Sequence, residues 1–490
     1  MKTTKKTNTL IATLFCWGLG CAGDLAAAST PREAQSAAVR NESLPVIEKV
    51  EIKVQASSVI GAIRRVNGIN NSAPLAYNKH PESNLVSAFK GLKIPMTRFH
   101  DAALFDFAYQ LVDVSRIFPI WNADIDNPDN YCFAETDDYI AQCLATGSQI
   151  EYRLGESIEP SSRYYRTAPP KDYGRWADIC VHIIRHYNAG WANGFHHNIR
   201  YWSIWEEPNN PNLWHGDFNE YFRLYAVAAK KIKAAFPDLK VGGPQTTWGG
   251  EKLIQCRAKF IEYCRENSVP IDFCSWTVYV REPEEMVEQI NYTRHHLDRF
   301  GYKDAEVNIA EWHYGPISWD VCGVAGEKAE QERAEMRGIN SAAFTAYSLS
   351  LFQDTPLTMS YFYTAFEDSF GLFNRDYLPN KDYYAFKAFA AIADCTQRIA
   401  ASPRPHRSVR VLAGKRADGN VVLLVSCFKS GAMDLAIDSG DAVWREHEVL
   451  VLDEDHDLTA GSEALVKDGN TLTIKKDQPG SAVYLVNIKK

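Results

Sequence analysis

The chain has 490 residues, of which 46% are hydrophobic and 12% aromatic, with a formal charge of −8. That length admits one large domain plus a smaller one, and the apolar share is that of a packed globular protein, which excludes a disordered chain. The acidic balance offers no basic footprint for nucleic acid and suits an uncharged partner.

In chain order, residues 1–28 carry Lys2, Lys5 and Lys6, the apolar run LIATLFCWGLGCAG, and DLAAAST with small residues at Ala26 and Ala28. This pattern predicts an export signal, hence a periplasmic or extracellular destination. The apolar run is shorter than the roughly 20 residues of a membrane span. A lipid anchor at Cys21 is the alternative, against which Gly18 stands where lipidation motifs usually carry leucine. No later segment is long and apolar enough to predict a transmembrane helix. Nine cysteines follow the leader, an odd number without C-x-x-C spacing, and they read as buried thiols with one or two disulfides among them.

Residues 29–45 are polar and read as a flexible entry. Within 46–60 the run VIEKVEIKVQ alternates as a strand does. Strand-length apolar runs then occur at 66–70, 94–99, 148–154, 199–205, 239–243, 271–276, 305–311 and 358–363. Helical periodicity occupies 83–92, 136–145, 173–187, 221–235, 252–267, 284–300, 327–351 and 383–398. Eight strands alternating with helices predict an α/β fold, a parallel sheet closed into a (β/α)8 TIM barrel over 61–398. A doubly wound open sheet would be expected to carry G-x-G-x-x-G after its first strand, and none occurs there. Over 399–490 the runs VRVLAG, NVVLLVSCF, HEVLVLD, TLTIKK and SAVYLVN alternate between Asp-Gly and Gly-Asn turns, which predicts a β-sandwich domain joined by strand 46–60.

In such a barrel the reactive groups sit at the carboxyl ends of the strands. TRFHD ends in Arg98, His100 and Asp101; YRLGES supplies Arg153 and Glu156; IWEEPN supplies Glu206 and Glu207; NIAEWH supplies Glu311 and His313. Carboxylates from the fourth and seventh barrel strands, facing each other across a cleft with Trp205, Trp312 and Tyr279, have the composition that glycosidic cleavage requires. One acid must be protonated for the leaving oxygen, the other charged against an oxocarbenium-like centre, while aromatic faces stack on sugar rings. Taken singly, each glutamate reads far better as a solvated or salt-bridged surface carboxylate, and each aromatic equally as packing; two glutamates at matching strand ends shift the reading to a pair. A metal held by Glu206, Glu207, Glu311 and His313 finds no His-x-x-x-His or similar spacing, and no metal or cofactor is expected.

The ordered set TRFHD, IWEEPN, VGGPQT, DFCSWTVY and NIAEWHYG resembles glycoside hydrolase family 39, which includes β-xylosidases and α-L-iduronidases. The resemblance spans about residues 64–398, and the terminal sandwich is also typical of that family. It implies Glu207 as general acid/base, Glu311 as nucleophile, Tyr279 as the tyrosine on the nucleophile, and Arg98 and His100 as groups that support the site and touch sugar. It further implies double displacement with retention, for which the carboxylates stand about 5–5.5 Å apart. Glu156 faces the cleft on that pattern, or else serves a helix-terminus salt bridge; Asp101 either orients His100 or caps a helix. Departures are Glu206 where the family has an asparagine that reads the sugar 2-hydroxyl, Thr277 in place of histidine, and His313 after Trp312 in place of asparagine.

The expectation is a secreted retaining hydrolase, exo-acting on oligosaccharide or polysaccharide substrates that carry β-D-xylosides or related arabinose-containing units. Glu156, Arg98, His100, Glu206, Tyr279, Trp312 and His313 are its expected sugar contacts. The departures keep two alternatives open: an inactive carbohydrate-binding protein, and a hydrolase for uronic-acid or galactose-containing side chains, with Arg98 and Arg153 as the groups for a uronate. Glu206 and Glu207 reach one cleft only if the strand has already turned before Pro208, since successive strand residues face opposite sides.

Overall fold

The computed structural model describes residues 47–73, 84–102, 110–158, 164–247, 249–315, 326–365, 370–374, 376–403, 406–440, 445–461 and 465–489. The expected leader with its Cys21, all of the expected entry at 29–45 and residue 46 of the expected strand lie outside this set.

Strand β1 (Glu48–Gly61) alternates exposed and buried residues along its first half, so Val50, Ile52, Val54 and Ala56 share one buried face. Eight short strands then form a closed parallel barrel: β2 (Asn67–Asn70), β3 (Met96–Arg98), β4 (Gln149–Leu154), β5 (Tyr201–Ile204), β6 (Lys240–Thr246), β7 (Phe273–Val280), β8 (Glu306–Tyr314) and β9 (Met359–Phe362). Closure is made by β2 pairing in parallel with β9, Gly68 opposite Tyr361. The strands are buried on both faces, and for that reason their sequences read as apolar runs rather than as alternation.

The covering helices carry the expected stripes. Phe218–Ala235 starts at a capping box, Asp217 accepting from the Glu220 backbone while the Glu220 side chain accepts from that of Asp217, and it buries Tyr221, Leu224, Tyr225, Ala228 and Ile232. Two helices differ from the sequence reading. The span 327–351 is two helices, Glu327–Arg337 and Ile339–Leu351, parted at Gly338, whose backbone is extended. The span 383–398 ends as a helix at Ala393, within Lys381–Ala393, and Gln397–Pro403 is strand β10.

The remaining strands are β11 (Val409–Lys415), β12 (Val421–Ser430), β13 (Met433–Asp438), β14 (Glu446–Leu452), β15 (Asp457–Ala460), β16 (Leu465–Asp468), β17 (Thr471–Lys476) and β18 (Gly480–Lys489). With β1 and β10 they make one ten-stranded curled sheet, ordered β15-β14-β18-β12-β11-β10-β1-β13-β17-β16. Its own core holds Ile52, Val54, Leu423, Val425, Leu435, Ile437, Leu472, Ile474, Tyr484 and Val486. The sheet docks on the barrel through Ile339–Leu351: Ser426 donates to the Ala343 carbonyl at 2.7 Å, and Phe344 meets Phe428 at 5.8 Å. Asp354 accepts from Arg398 at 2.7 Å and pairs with Arg410. The eight cysteines among the described residues are all free, so none of these eight is in an expected disulfide.

Candidate active site

Strand β5 ends at Ile204, and the chain then turns sharply: Trp205 has φ 67° and Glu207 φ 36°. Positive φ is costly for side-chain-bearing residues and persists where surroundings enforce it. Here Trp205 N–H donates to the Leu154 carbonyl at 2.6 Å, its indole N–H to the Leu213 carbonyl at 2.6 Å, and Glu207 N–H to the Gln245 carbonyl at 3.0 Å. The neighbouring strand yields room because residue 155 is glycine, at φ 151°; a Cβ there would meet the Trp205 backbone at 2.8 Å. The chain has therefore left the strand before Pro208, and Glu206 and Glu207 both enter one buried cluster of charges.

Arg98, at the end of β3, is the hub of that cluster and is wholly buried. Its guanidinium pairs with Glu206 Oε2, donates to Asn70 Oδ1 at 2.7 Å and to Gln245 Oε1 at 2.8 Å, and lies 3.5 Å from Glu151 Oε1. Burial works against its charge, but Glu206, Glu151 and Glu311 outweigh that and raise its pKa. Tyr361 donates to the other Glu151 oxygen at 2.7 Å. These groups form a polar layer inside the barrel, directly beneath the carboxylates.

Glu311, on β8, has an outer partner at each oxygen. Tyr279 from β7 donates its hydroxyl to Oε1, and His100 Nε2 lies 2.9 Å from Oε2. His100 is held behind by Asp101, whose Oδ1 is 3.1 Å from Nδ1; Asn71 and Tyr363 in turn donate to Asp101, each at 3.0 Å. Burial opposes a charged imidazole, yet Glu311, Asp101 and Glu206 together hold its pKa well above the ordinary value. Asp101 thus orients the ring.

Glu207 is 7% exposed and its carboxyl accepts from Asn210 Nδ2 at 2.9 Å. Burial pushes its pKa up, the charges of Glu311 and Glu206 push it further, and hydrogen bonds from Asn210 and Thr247 pull it back, leaving it at about 7. One carboxyl of the pair is therefore poised to carry a proton near neutrality.

Three expected sugar contacts lie elsewhere. Trp312 follows Glu311 on the strand and so faces the opposite side, where its ring is fully buried edge-on to Phe352 at 5.7 Å and Phe362 at 5.3 Å. His313 is fully buried against Phe362 and Phe370, its Nδ1 2.8 Å from the Tyr314 carbonyl. Burial lowers its pKa to about 4, which keeps the ring neutral. Glu156 accepts from Ser115 N–H at 2.9 Å and Ser115 Oγ at 2.6 Å, steadying the short helix Val114–Ile117; burial and the Asp113 charge raise its pKa to about 8. Trp205 likewise packs on Trp214 and Trp176 instead of opening a face to the cleft. Arg98, His100, Glu206, Glu207, Tyr279 and Glu311 are the expected residues that the fold brings together.

The sequence reading passed over Asn70, Glu151, Gln245 and Tyr361 inside the barrel, and Asn210 beside Glu207. Their common signal is a polar residue at an inward position of an otherwise apolar strand, or an Asn just after the glutamate-proline turn.

Fold and site together define a class, a (β/α)8 barrel with two carboxylates at the ends of its fourth and seventh strands, the scaffold of many glycosidases. The sequence profile described as glycosyl hydrolases family 39 matches residues 112–314, which supports assignment to that family. A β-xylosidase of Geobacillus stearothermophilus is 26% identical over 339 residues, covering 64% of this chain and 60% of the relative. The chain thus spans less than two thirds of that relative's length. Among solved structures, a glucosidase from Croceicoccus marinus superposes with a TM-score of 0.72 at 21% identity, covering 90% of this chain and 99% of the other. The family 39 enzyme from Xanthomonas axonopodis pv. citri gives 0.67 at 17% identity, covering 92% and 100%. At these identities the structural likenesses establish the fold.

Proposed function

We propose that the protein is an exported, retaining O-glycosidase that removes terminal sugars from β-D-xylosides or related arabinose-containing plant glycans. The observation that carries this reading is the asymmetry of the carboxylates: Glu207 has its pKa raised to about 7, while Glu311 is flanked by the Tyr279 hydroxyl and the His100 imidazole. An acid that holds its proton and a carboxylate braced by donors are the two roles that a retaining mechanism assigns.

In the first step a Glu311 oxygen bonds to the anomeric carbon as the glycosidic C–O bond breaks, and Glu207 gives its proton to the departing oxygen. The charge of Glu311 is then consumed in the ester, so one cause of the raised Glu207 pKa disappears and the carboxylate becomes a base. In the second step Glu207 takes a proton from water, whose oxygen attacks the anomeric carbon from the vacated side and expels Glu311. The sugar leaves with its configuration retained.

The substrate class is argued from charge. Arg98 pairs with Glu206 and Arg153 with Asp113 at 2.7 Å, and both guanidinium side chains are wholly buried, which speaks against their meeting a uronate. A neutral pentoside fits a cluster already rich in carboxylates, and the β-xylosidase relative supports it. Glu206 keeps one oxygen, Oε1, buried without a hydrogen-bond partner; it accepts from a sugar hydroxyl. The leader pattern of residues 1–28 supports export.

Purified protein on a panel of aryl β-D-xylosides, α-L-arabinosides, galactosides and glucuronides tests the reading, with proton NMR reporting the first-formed anomer. Release of pentose with retention is expected, and Glu311→Ala with azide should yield a glycosyl azide of inverted configuration. An inverted first product, or near-native rates in both Glu311→Ala and Glu207→Ala, would overturn the assignment; oligosaccharide binding without release would make the protein a carbohydrate-binding one.

A further inference from the structure

His100 Nε2, Glu206 Oε1 and Glu311 Oε2 converge on one point, and all three lie within 4.8 Å of one another. Nε2 is 2.9 Å from Glu311 Oε2 and 3.9 Å from Glu206 Oε1. Two ligands bound at about 2.1 Å in a tetrahedron stand roughly 3.4 Å apart, so these separations straddle what a zinc-sized ion imposes. The residues are 7%, 0% and 6% exposed, and Glu206 Oε1 has no hydrogen-bond partner. A fully buried carboxylate oxygen in that state is aimed at something that binds it.

The outer partners strengthen the case, because each of the three residues has its other polar atom held from behind. Asp101 lies on His100 Nδ1, Arg98 pairs with Glu206 Oε2, and Tyr279 donates to Glu311 Oε1. A carboxylate behind an imidazole fixes its tautomer and turns its second nitrogen to a metal, and held carboxylates keep one oxygen forward. Asp101, Glu206 and Glu311 surround the His100 imidazole, and Arg98 lies between Glu206 and Glu151, so four carboxylates face two cations and a doubly charged ion in place of the imidazole proton adds positive charge where it is short. One imidazole and two carboxylates suit zinc, copper or cobalt rather than magnesium, which prefers all-oxygen octahedra.

We propose that His100, Glu206 and Glu311 form a site for one divalent transition-metal ion, and that its occupancy and glycoside cleavage are mutually exclusive. The sequence offered no such set: the three ligands come from three strand ends more than a hundred residues apart in steps, and the one metal grouping it suggested included Glu207 and His313 instead. Binding stands independently of the proposed function; exclusion rests on it, since the ion would hold the carboxylate assigned as nucleophile. The ion acts here as an inhibitor that takes the place of the proton between His100 and Glu311.

The test is Cu2+ and Zn2+ binding to the whole protein, by electron paramagnetic resonance and titration calorimetry, with Mg2+ as control. Expected are one Cu2+ per chain with superhyperfine coupling to a single imidazole nitrogen, no Mg2+ binding, and a 10- to 100-fold weaker Zn2+ affinity in Asp101→Asn. His100→Ala and Glu206→Gln should weaken it further. The 13 histidines of the chain make surface binding the rival outcome. Copper signals with several nitrogens, or Zn2+ affinity unchanged in Asp101→Asn and Glu206→Gln, would overturn the site. Binding intact but without competition against an aryl xyloside would overturn only the exclusion, leaving the ion site standing.

Discussion

Asn210 Nδ2 donates to Glu207 Oε2 at 2.9 Å, from a position three residues beyond the glutamate-proline turn. That bond favours the charged carboxylate, whereas burial and the charges of Glu311 and Glu206 favour the protonated one.

Opposed shifts of the pH profile therefore follow from two neighbouring substitutions. A general acid acts only while protonated, so kcat/KM should fall above about pH 7, where Glu207 ionises. Glu206→Asn removes one charge that raises this pKa and should move the alkaline limb down by roughly half a unit to one unit. Asn210→Ala removes a bond that lowers it and should move the limb up. Profiles of kcat/KM for an aryl xyloside decide the matter, and shifts of the same sign in both variants would contradict the assignment of Glu207.

Tyr279→Phe deletes the hydroxyl on Glu311 Oε1 while leaving the ring against Phe370 at 5.9 Å. A hydrogen bond to a charged group contributes about 1.5–3 kcal/mol, so the rate of forming the glycosyl-enzyme should fall roughly 10- to 150-fold. Burst kinetics with a good leaving group separates that step from hydrolysis. A loss confined to KM would make Tyr279 a binding residue instead.

Arg98 to Glu206 is a fully buried ion pair. Arg98→Met strands the Glu206 charge and should cost about 3–5 kcal/mol, seen as a fall of several degrees in the thermal midpoint. Adding Glu206→Gln should restore part of it, because the Glu206 charge then vanishes with its partner while Glu151 keeps the hydrogen bond from Tyr361. A double variant no more stable than Arg98→Met would mean that packing, not charge, is what Arg98 supplies.

Barrel and carboxylates were legible because their signals are local: eight apolar runs, and acids at two strand ends. What was not legible depended on distant contacts. The helical reading of 383–398 runs on through residues 397 and 398, yet they open β10 because β1, more than 300 residues earlier, offers an edge with Gly61 opposite Arg398. Residues 327–351 read as one helix, and the break falls at Gly338, where a Cβ would lie 2.8 Å from the Ala334 carbonyl. Trp312 could have been placed correctly from strand parity alone, since Glu311 facing the cleft turns its neighbour outward. Gln245 and Glu151 gave only the signal of a polar residue in an apolar strand, and the guanidinium of Arg98 that they meet comes from a strand distant in sequence.

Asp382 gives a stability prediction away from the cleft. It is buried where helix Lys381–Ala393 packs on Ile339–Leu351, and it accepts from Thr345 Oγ1 at 2.7 Å. Burial raises its pKa to about 7, against the pull of hydrogen bonds from Thr345 and Ser341. The folded protein thus keeps a proton that the unfolded chain releases near pH 3.8. Stability from this group is fully present below that value and is lost as pH rises through about 7, by on the order of 4 kcal/mol. Asp382→Asn retains the shape and an acceptor oxygen but does not ionise. Its thermal midpoint should match that of the parent near pH 4, exceed it progressively to pH 7, and hold a constant lead above. A difference between the two proteins that stays the same from pH 4 to 8 would show that Asp382 does not titrate in this window.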